Sequence, residues 1–174
     1  MNMKKLLAIL VWVLIIGTVG LVNARPTNNE ILPQDGGGYW ELWKVESVEE
    51  IGSTYGEWTT LDETMGYAGQ TYSFTTQVSW SHKVSGSLMV TYKMLSAALG
   101  FDVLESGTVQ VTISGKFEHD GQKIAFQVRP KYMRHKVVQR KYIHIDGQNY
   151  PTNERRTLWV DEFLHYQHRA KPLN

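Results

Sequence analysis

The chain has 174 residues, with 18 Lys and Arg against 17 Asp and Glu and a formal net charge of +1. It contains no cysteine, which excludes disulfides, thiolate metal sites and a lipid-modified N-terminal cysteine. A net charge this close to zero makes nucleic acid the least favoured partner.

The first 24 residues have the pattern of a signal peptide. Lys4 and Lys5 precede an unbroken apolar run, and Val22 and Ala24 occupy the positions that a signal peptidase reads before its cut. We expect cleavage after Ala24 and secretion. The alternative is an N-terminal membrane anchor, because the apolar tract from Leu6 to Val22 has 17 residues, the lower limit for crossing a bilayer. A short basic start before an exported domain without disulfides favours a bacterial protein.

Beyond the signal peptide, the composition predicts a lead-in and one domain. Residues 25–38 are rich in Pro, Asn and Gly and predict a flexible segment, whereas residues 39–174 are enough for a single β domain. Charge is uneven, with two basic and nine acidic residues in 25–70 but eleven and five in 120–174. The acidic and the basic segment either pair within the fold or present a basic face to an anionic partner.

A period of two dominates residues 71–118. Apolar residues fall on even positions from Tyr72 to Met94 and on odd positions from Phe101 to Phe117, with mostly Ser, Thr, Gln and Lys between them. This alternation predicts one long hairpin with one apolar and one polar face.

The tip of that hairpin, MLSAALG at 94–100, is apolar where a turn is normally polar. Its Ala and Leu residues favour one short helix ended by Gly100. Met94, Leu95 and Leu99 either fold back onto the sheet as a plug or form a tip for membrane insertion, and we expect the plug.

The rest of the chain is also β in texture. Asp-Gly pairs at 120–121 and 146–147 predict tight turns, Pro130 predicts a strand end or an edge, and TLWVDEFLHYQ at 157–167 predicts a last strand. We therefore expect an all-β fold, a single antiparallel sandwich or barrel-like domain of about seven strands, with one long hairpin and one short helix at its tip.

The sequence contains no pattern that supports catalysis. There is no Gly-x-Ser-x-Gly elbow, and the histidines of HYQH at 165–168 would point to opposite faces of a strand. We expect no catalytic residues, no metal and no cofactor.

Two sets of residues are candidates for binding. Trp40 and Trp43 are three apart on a presumed strand and point to opposite faces, so one of them is the best candidate for an exposed aromatic. Arg134, Lys136 and Arg140 share one side of the most basic segment, 129–142, which we expect to be an edge strand or an exposed ribbon. Its cations either protect an edge from aggregation or bind an anionic surface.

The run VSGSLMVTYKMLSAALGFDV at 84–103, a Ser/Thr-rich strand and QVRPKYMRHKVVQRKY together resemble an uncharacterised group of small exported proteins of Gram-positive bacteria. That group shares a Ser-Gly-Ser strand, a Ser-Ala-Ala-x-Gly-Phe/Tyr junction and an Arg-Pro-x-Tyr segment. The resemblance spans roughly Trp58 to Phe163. It implies secretion and a common fold but no activity.

The alternation around an apolar tip is also similar to the insertion hairpins of aerolysin-like pore-forming toxins. The similarity implies that one face of the hairpin would meet lipid and that the other would line a water-filled lumen. A membrane strand needs only about 9 to 11 residues, so both arms are long enough.

From the sequence we expect an exported, non-catalytic surface or cell-wall interaction module. Its partner would be an anionic cell-wall polymer, a glycan or a membrane surface. The alternative is a membrane-active, aerolysin-like pore-forming protein.

Overall fold

The computed structural model describes residues 38–173, so the predicted signal peptide, its predicted cut after Ala24, the anchor alternative and nearly all of the predicted lead-in lie outside the described residues. The described chain has eight elements: β1 (Trp40–Tyr55), β2 (Thr59–Gly66), β3 (Thr71–Ser81), β4 (Lys83–Gly86), α1 (Tyr92–Leu99), β5 (Ser106–Lys116), β6 (Gln122–Ile145) and β7 (Gln148–Pro172). No helix within residues 38–173 is long and apolar enough to cross a membrane.

The framework is a five-stranded antiparallel sheet built around β6 and β7. β6 pairs with β7 along one side and with β1 and then β2 along the other, and β4 lies beyond β7. Asp146 and Gly147, with φ of 49° and 81°, form the predicted tight turn between Ile145 and Gln148. Positive φ at both central residues gives such a turn the twist of the strands it joins.

Pro130 lies inside the central strand β6, so the prediction of a strand end or an edge is wrong. It occupies the point where the partner of β6 changes, between the pairs Tyr55 with Lys131 and Thr59 with Val128. Its carbonyl accepts a hydrogen bond from the Gly56 N–H at 2.9 Å. The missing N–H of proline thus falls in the gap between β1 and β2, where it interrupts no ladder.

β3 and β5 form a separate two-stranded sheet. They pair in uninterrupted register from Thr71 with Lys116 to Ser81 with Ser106, which confirms the long hairpin. The connection between them, residues 82–105, is here named the crossing segment and contains β4 and α1.

The crossing segment begins its helix earlier than the alternation suggested. Strand structure on this arm ends at Gly86, and α1 starts after Thr91, whose side chain accepts from the Met94 N–H. Gly100, at φ 86°, ends the helix as predicted. Tyr92 and Met94 continued the even-numbered pattern by chance, because both lie on α1, where they are 43% and 40% exposed.

The sheet carries a core on each face. Side chains alternate along β6, so Phe126 and Val137 point to opposite faces. Phe126 belongs to the core under the two-stranded sheet, whereas Val137 belongs to the core under α1. The chain therefore passes around the β7 edge from one face to the other and back, and β4 covers that edge. The all-β antiparallel fold with one short helix is confirmed.

Candidate functional site

The outward face of the two-stranded sheet is polar and almost uncharged. Thr75 and Thr112 are cross-strand partners whose Oγ1 atoms lie 3.0 Å apart. The exposed side chains of this face are Thr71, Ser73, Thr75, Gln77, Ser79, Ser81, Ser106, Thr108, Gln110, Thr112, Ser114 and Lys116. Hydroxyl and amide groups make such a face compatible with water on one side of a strand pair.

The inward face of the same sheet is apolar and aromatic. Phe74 stacks on Phe126 with 4.9 Å between ring centroids, and Trp80 stacks on Phe163 at 5.0 Å. Val111 and Ile113 are buried, and Tyr72 and Val78 pack against the same core. The sheet is thus held to the framework by side-chain packing.

Two glycines opposite aromatic residues allow the apolar face to be flat. Gly107 pairs with Trp80 and Gly115 pairs with Tyr72 across the strands. A Cβ at Gly107 would lie 3.1 Å from the Trp80 ring, and one at Gly115 would collide with the Tyr72 hydroxyl. Rings laid over cross-strand glycines compensate for the missing side chains.

Few hydrogen bonds join the two-stranded sheet to the framework. Among the described strands, β3 and β5 pair only with each other. The Tyr166 hydroxyl donates to the Ser79 carbonyl at 2.6 Å, and burial raises the pKa of that hydroxyl. Detaching β3 and β5 would therefore break side-chain packing and a few hydrogen bonds but no backbone ladder of their own with the framework; the connected β4 does form a short ladder with β7.

Gln139 holds the crossing segment on the other face. Its side chain is fully buried, its Oε1 accepts from the N–H groups of Met89 and Val90 at 2.7 and 3.0 Å, and its Nε2 donates to the Ser87 carbonyl at 2.9 Å. The sequence pattern did not single out Gln139 as a candidate. Its position in the alternation could have identified it, because Gln139 lies two residues from the apolar Val137 and therefore on the same face of β6.

His82 marks the point where the chain leaves β3 for the edge of the framework. Its Nδ1 accepts the Phe163 N–H at 2.9 Å, and its ring packs on Trp80 and Phe101. Burial lowers the pKa of His82, although Glu162, Glu105 and Asp102 act in the opposite direction.

The tryptophans proposed for binding lie on opposite faces of β1, as expected. Trp40 stacks on His144 with 3.7 Å between centroids, and Trp43 packs against the core under α1. Tyr39, at 63% exposure, is the most exposed aromatic near them. The structure does not combine Trp40 and Trp43 into one platform.

The basic strand is central, so the prediction of an edge strand or exposed ribbon is wrong. Arg134 forms a bidentate pair with Asp161, at 2.7 and 2.9 Å. Arg140 lies 3.0 Å from Glu46, and Lys136 lies 3.9 Å from Glu49. The acidic first part of the chain therefore pairs with the basic last part inside the sheet, the first of the two alternatives.

The three tip residues have different environments. Leu95 is fully buried in the core under α1, Leu99 packs partly against it, and Met94 is 40% exposed. The fold therefore uses the tip as a plug in this conformation.

The described residues include no group of three or more His, Asp or Glu side chains placed to hold a metal ion. No protein-family model and no curated protein matches the sequence. Among solved structures, the chain is similar to parasporin-2, a Bacillus thuringiensis toxin that recognizes cancer cells, with 11% identity, 77% of this chain and 75% of that chain covered, and a TM-score of 0.27. This likeness is too weak to carry an argument, and the resemblance to the Gram-positive group stays a prediction.

Proposed function

We propose that the protein is membrane-active and that β3 and β5 are the strands that enter the bilayer. The observation that carries this proposal is the division of the two-stranded sheet into a polar, almost uncharged face and an apolar face. Each strand has 11 residues. About 9 to 11 tilted residues cross the hydrocarbon layer, so each strand is long enough.

The chemistry of the two faces fits the two sides of a pore wall. The apolar face, now packed on Phe126, would meet lipid, and the Ser/Thr face would meet water. Exposed strand edges are not tolerated in hydrocarbon, so hairpins from several copies must pair side by side. The proposal therefore includes oligomerisation at the membrane and no catalytic step.

The way the hairpin is stored also supports the proposal. Its ladder is internal, so it can leave the framework as a pair of strands. Release requires β4 to separate from β7 and α1 to leave its core. Burial of the apolar face against lipid replaces its burial against protein.

The first expectation, a surface or cell-wall interaction module, has less support. Trp43 packs on a core, and Arg134 and Arg140 are engaged with carboxylates. Each of these arginines already donates two hydrogen bonds within the sheet.

A disulfide lock tests the proposal. Ser85 of β4 and Trp159 of β7 are exposed cross-strand partners, and directly opposed strand residues have Cα atoms about 4.5 to 5.5 Å apart, within disulfide reach. In the double variant S85C/W159C, the chain's only two cysteines would tie the crossing segment to the framework. We expect dye leakage from lipid vesicles to stop when the pair is oxidised and to return on reduction.

The matched control is T75C/T112C, which joins the two hairpin strands to each other at the polar face. That disulfide leaves the hairpin free to move as a unit, so the oxidised control should leak like the wild-type protein. Leakage by oxidised S85C/W159C, or no leakage by the wild type, would contradict the proposal.

A further inference from the structure

A cluster of cations and aromatic rings lies at the β1–β2 turn and is here named the basic–aromatic cluster: Tyr55, Trp58, Arg129, Lys131 and Arg169. The guanidinium carbons of Arg129 and Arg169 lie 4.7 and 4.0 Å from the centroid of the Trp58 ring. Arg129 also lies 4.5 Å from the centroid of Tyr55, and Lys131 Nζ lies 6.0 Å from it. Two guanidinium groups thus share one indole ring.

The basic–aromatic cluster lies on the sheet face opposite the two-stranded sheet. Arg129 and Lys131 alternate with Val128 on β6, and Val128 points into the core under β3 and β5. Arg169 pairs with Gln127, on the same face as Arg129. Binding at this cluster would therefore leave β3 and β5 unobstructed.

Both arginines are positioned by glutamines from the neighbouring strand. Arg129 Nε donates to Gln167 Oε1 at 2.8 Å, and Arg169 Nε donates to Gln127 Oε1 at 2.9 Å. Within residues 38–173, the terminal guanidinium nitrogens of both side chains donate to no protein acceptor. Fixing these side chains in advance lowers the entropy cost of binding a ligand.

Within residues 38–173, the cations of this cluster have no carboxylate partner, unlike four other cations of β6. Arg134, Lys136, Arg140 and Lys141 of the same strand all form ion pairs. In the described part of the chain, none of the three cluster cations does. Like charges held this close repel each other, and a bound anion removes that repulsion.

We propose that the basic–aromatic cluster docks the protein on an anionic lipid bilayer, with the arginines binding headgroup phosphates. Planar guanidinium groups match phosphate geometry. Two exposed side chains, Met65 and Tyr55, lie on the same sheet face as the arginines. Met65 is 62% exposed and is the cross-strand partner of Lys123, which shares a β6 face with Arg129, and Tyr55 is 46% exposed. Aromatic rings beside cations are typical of the membrane interface. The choice of a bilayer as partner rests on the proposed function.

Vesicle co-sedimentation tests the docking proposal separately from insertion. The oxidised S85C/W159C protein is used, so that binding is measured while the crossing segment is tied. We expect it to bind vesicles containing phosphatidylserine and to bind phosphatidylcholine vesicles far less. R129Q/R169Q should bind the anionic vesicles about tenfold more weakly or worse, because each basic residue near an anionic surface adds to the attraction.

The matched control is K44Q/R156Q, which removes the same charge elsewhere. Lys44 Nζ lies 5.1 Å from the Tyr142 centroid, and the Arg156 side chain is 52% exposed. The control should bind like the parent. Equal losses in both variants would show general charge attraction and overturn the proposal, as would capture by a sulfated polysaccharide without binding to anionic vesicles. Leakage from phosphatidylcholine vesicles with no preference for phosphatidylserine would overturn docking alone and leave the proposed function standing.

Discussion

At the scale of single residues, we expect His82 to make the attachment of the hairpin depend on pH. Burial holds its pKa below the ordinary value of 6.5, so the folded protein keeps the ring neutral where an unfolded chain would protonate it. Stability from this residue is complete above pH 6.5 and is lost as the pH falls through the lower folded pKa. Protonating Nδ1 also removes the acceptor of the Phe163 N–H.

We therefore expect the melting temperature to fall as the pH drops below 6.5, with a smaller fall in H82Q, whose neutral amide cannot gain this proton. Thermal melts from pH 7.5 to pH 5 would measure the difference. Glu162, Glu105 and Asp102 are the acidic groups that favour the charged ring, and all are present in both proteins. Parallel pH profiles for the two proteins would show that His82 is not the group responsible.

The cations of β6 show where prediction from residues alone ends. Their alternation placed Arg134, Lys136 and Arg140 on one face, and the ladder agrees. Their exposure could not be deduced, because it depends on which strand lies alongside. Glu46 and Glu49 of β1 meet Arg140 and Lys136 only because β1 pairs with β6 from nearly a hundred residues away. The order of residues along the chain does not show which distant strands become neighbours in the sheet.

At the scale of elements, α1 anchors the crossing segment in the core through Leu95. Leu95 of this helix is fully buried, whereas the adjacent Met94 is 40% exposed. Replacing a buried leucine by alanine costs about 2 to 5 kcal/mol, so L95A should lower the free energy of unfolding by that amount. M94A, a truncation on the same helix, should change it far less. Urea unfolding of the two variants measures both values.

The same pair of variants tests whether α1 restrains membrane insertion of the hairpin or only adds to the stability of the core. If α1 restrains insertion, L95A should leak vesicles faster than M94A at equal protein concentration, because the crossing segment leaves its core more readily. Equal unfolding free energies would contradict the burial of Leu95. Slower leakage by L95A would assign Leu95 to the inserted state, the other alternative for the tip.

The elements also differ in how well local pattern specifies them. β3 and β5 were predicted well because one face of each is buried, and burial fixes a period of two. α1 was predicted by its composition and by Gly100. The end of strand structure at Gly86 was not, because Thr91 caps the helix through a contact that alternation does not encode.

At the scale of the whole molecule, the fold consists of a framework of long strands and the crossing segment, which packs against it. β6 and β7 pair over most of their length, and the buried Val137 and Leu158 face each other near their middle. β4, by contrast, pairs over four residues, and α1 is one short helix. In a native protein, a segment with few buried contacts opens at a lower free energy than a segment with many.

Hydrogen exchange under mildly denaturing conditions should therefore resolve two openings. We expect amides of β4 and α1 to exchange through a low-energy opening, while amides around Val137 and Leu158 exchange only on global unfolding. The ladder between β3 and β5 is internal, so its amides should stay protected when the crossing segment opens. Oxidising S85C/W159C should then raise the protection of β4 and α1 selectively. If the lock raised the protection of every amide equally, the crossing segment would open only with the whole fold, and release of the hairpin as a unit would be contradicted.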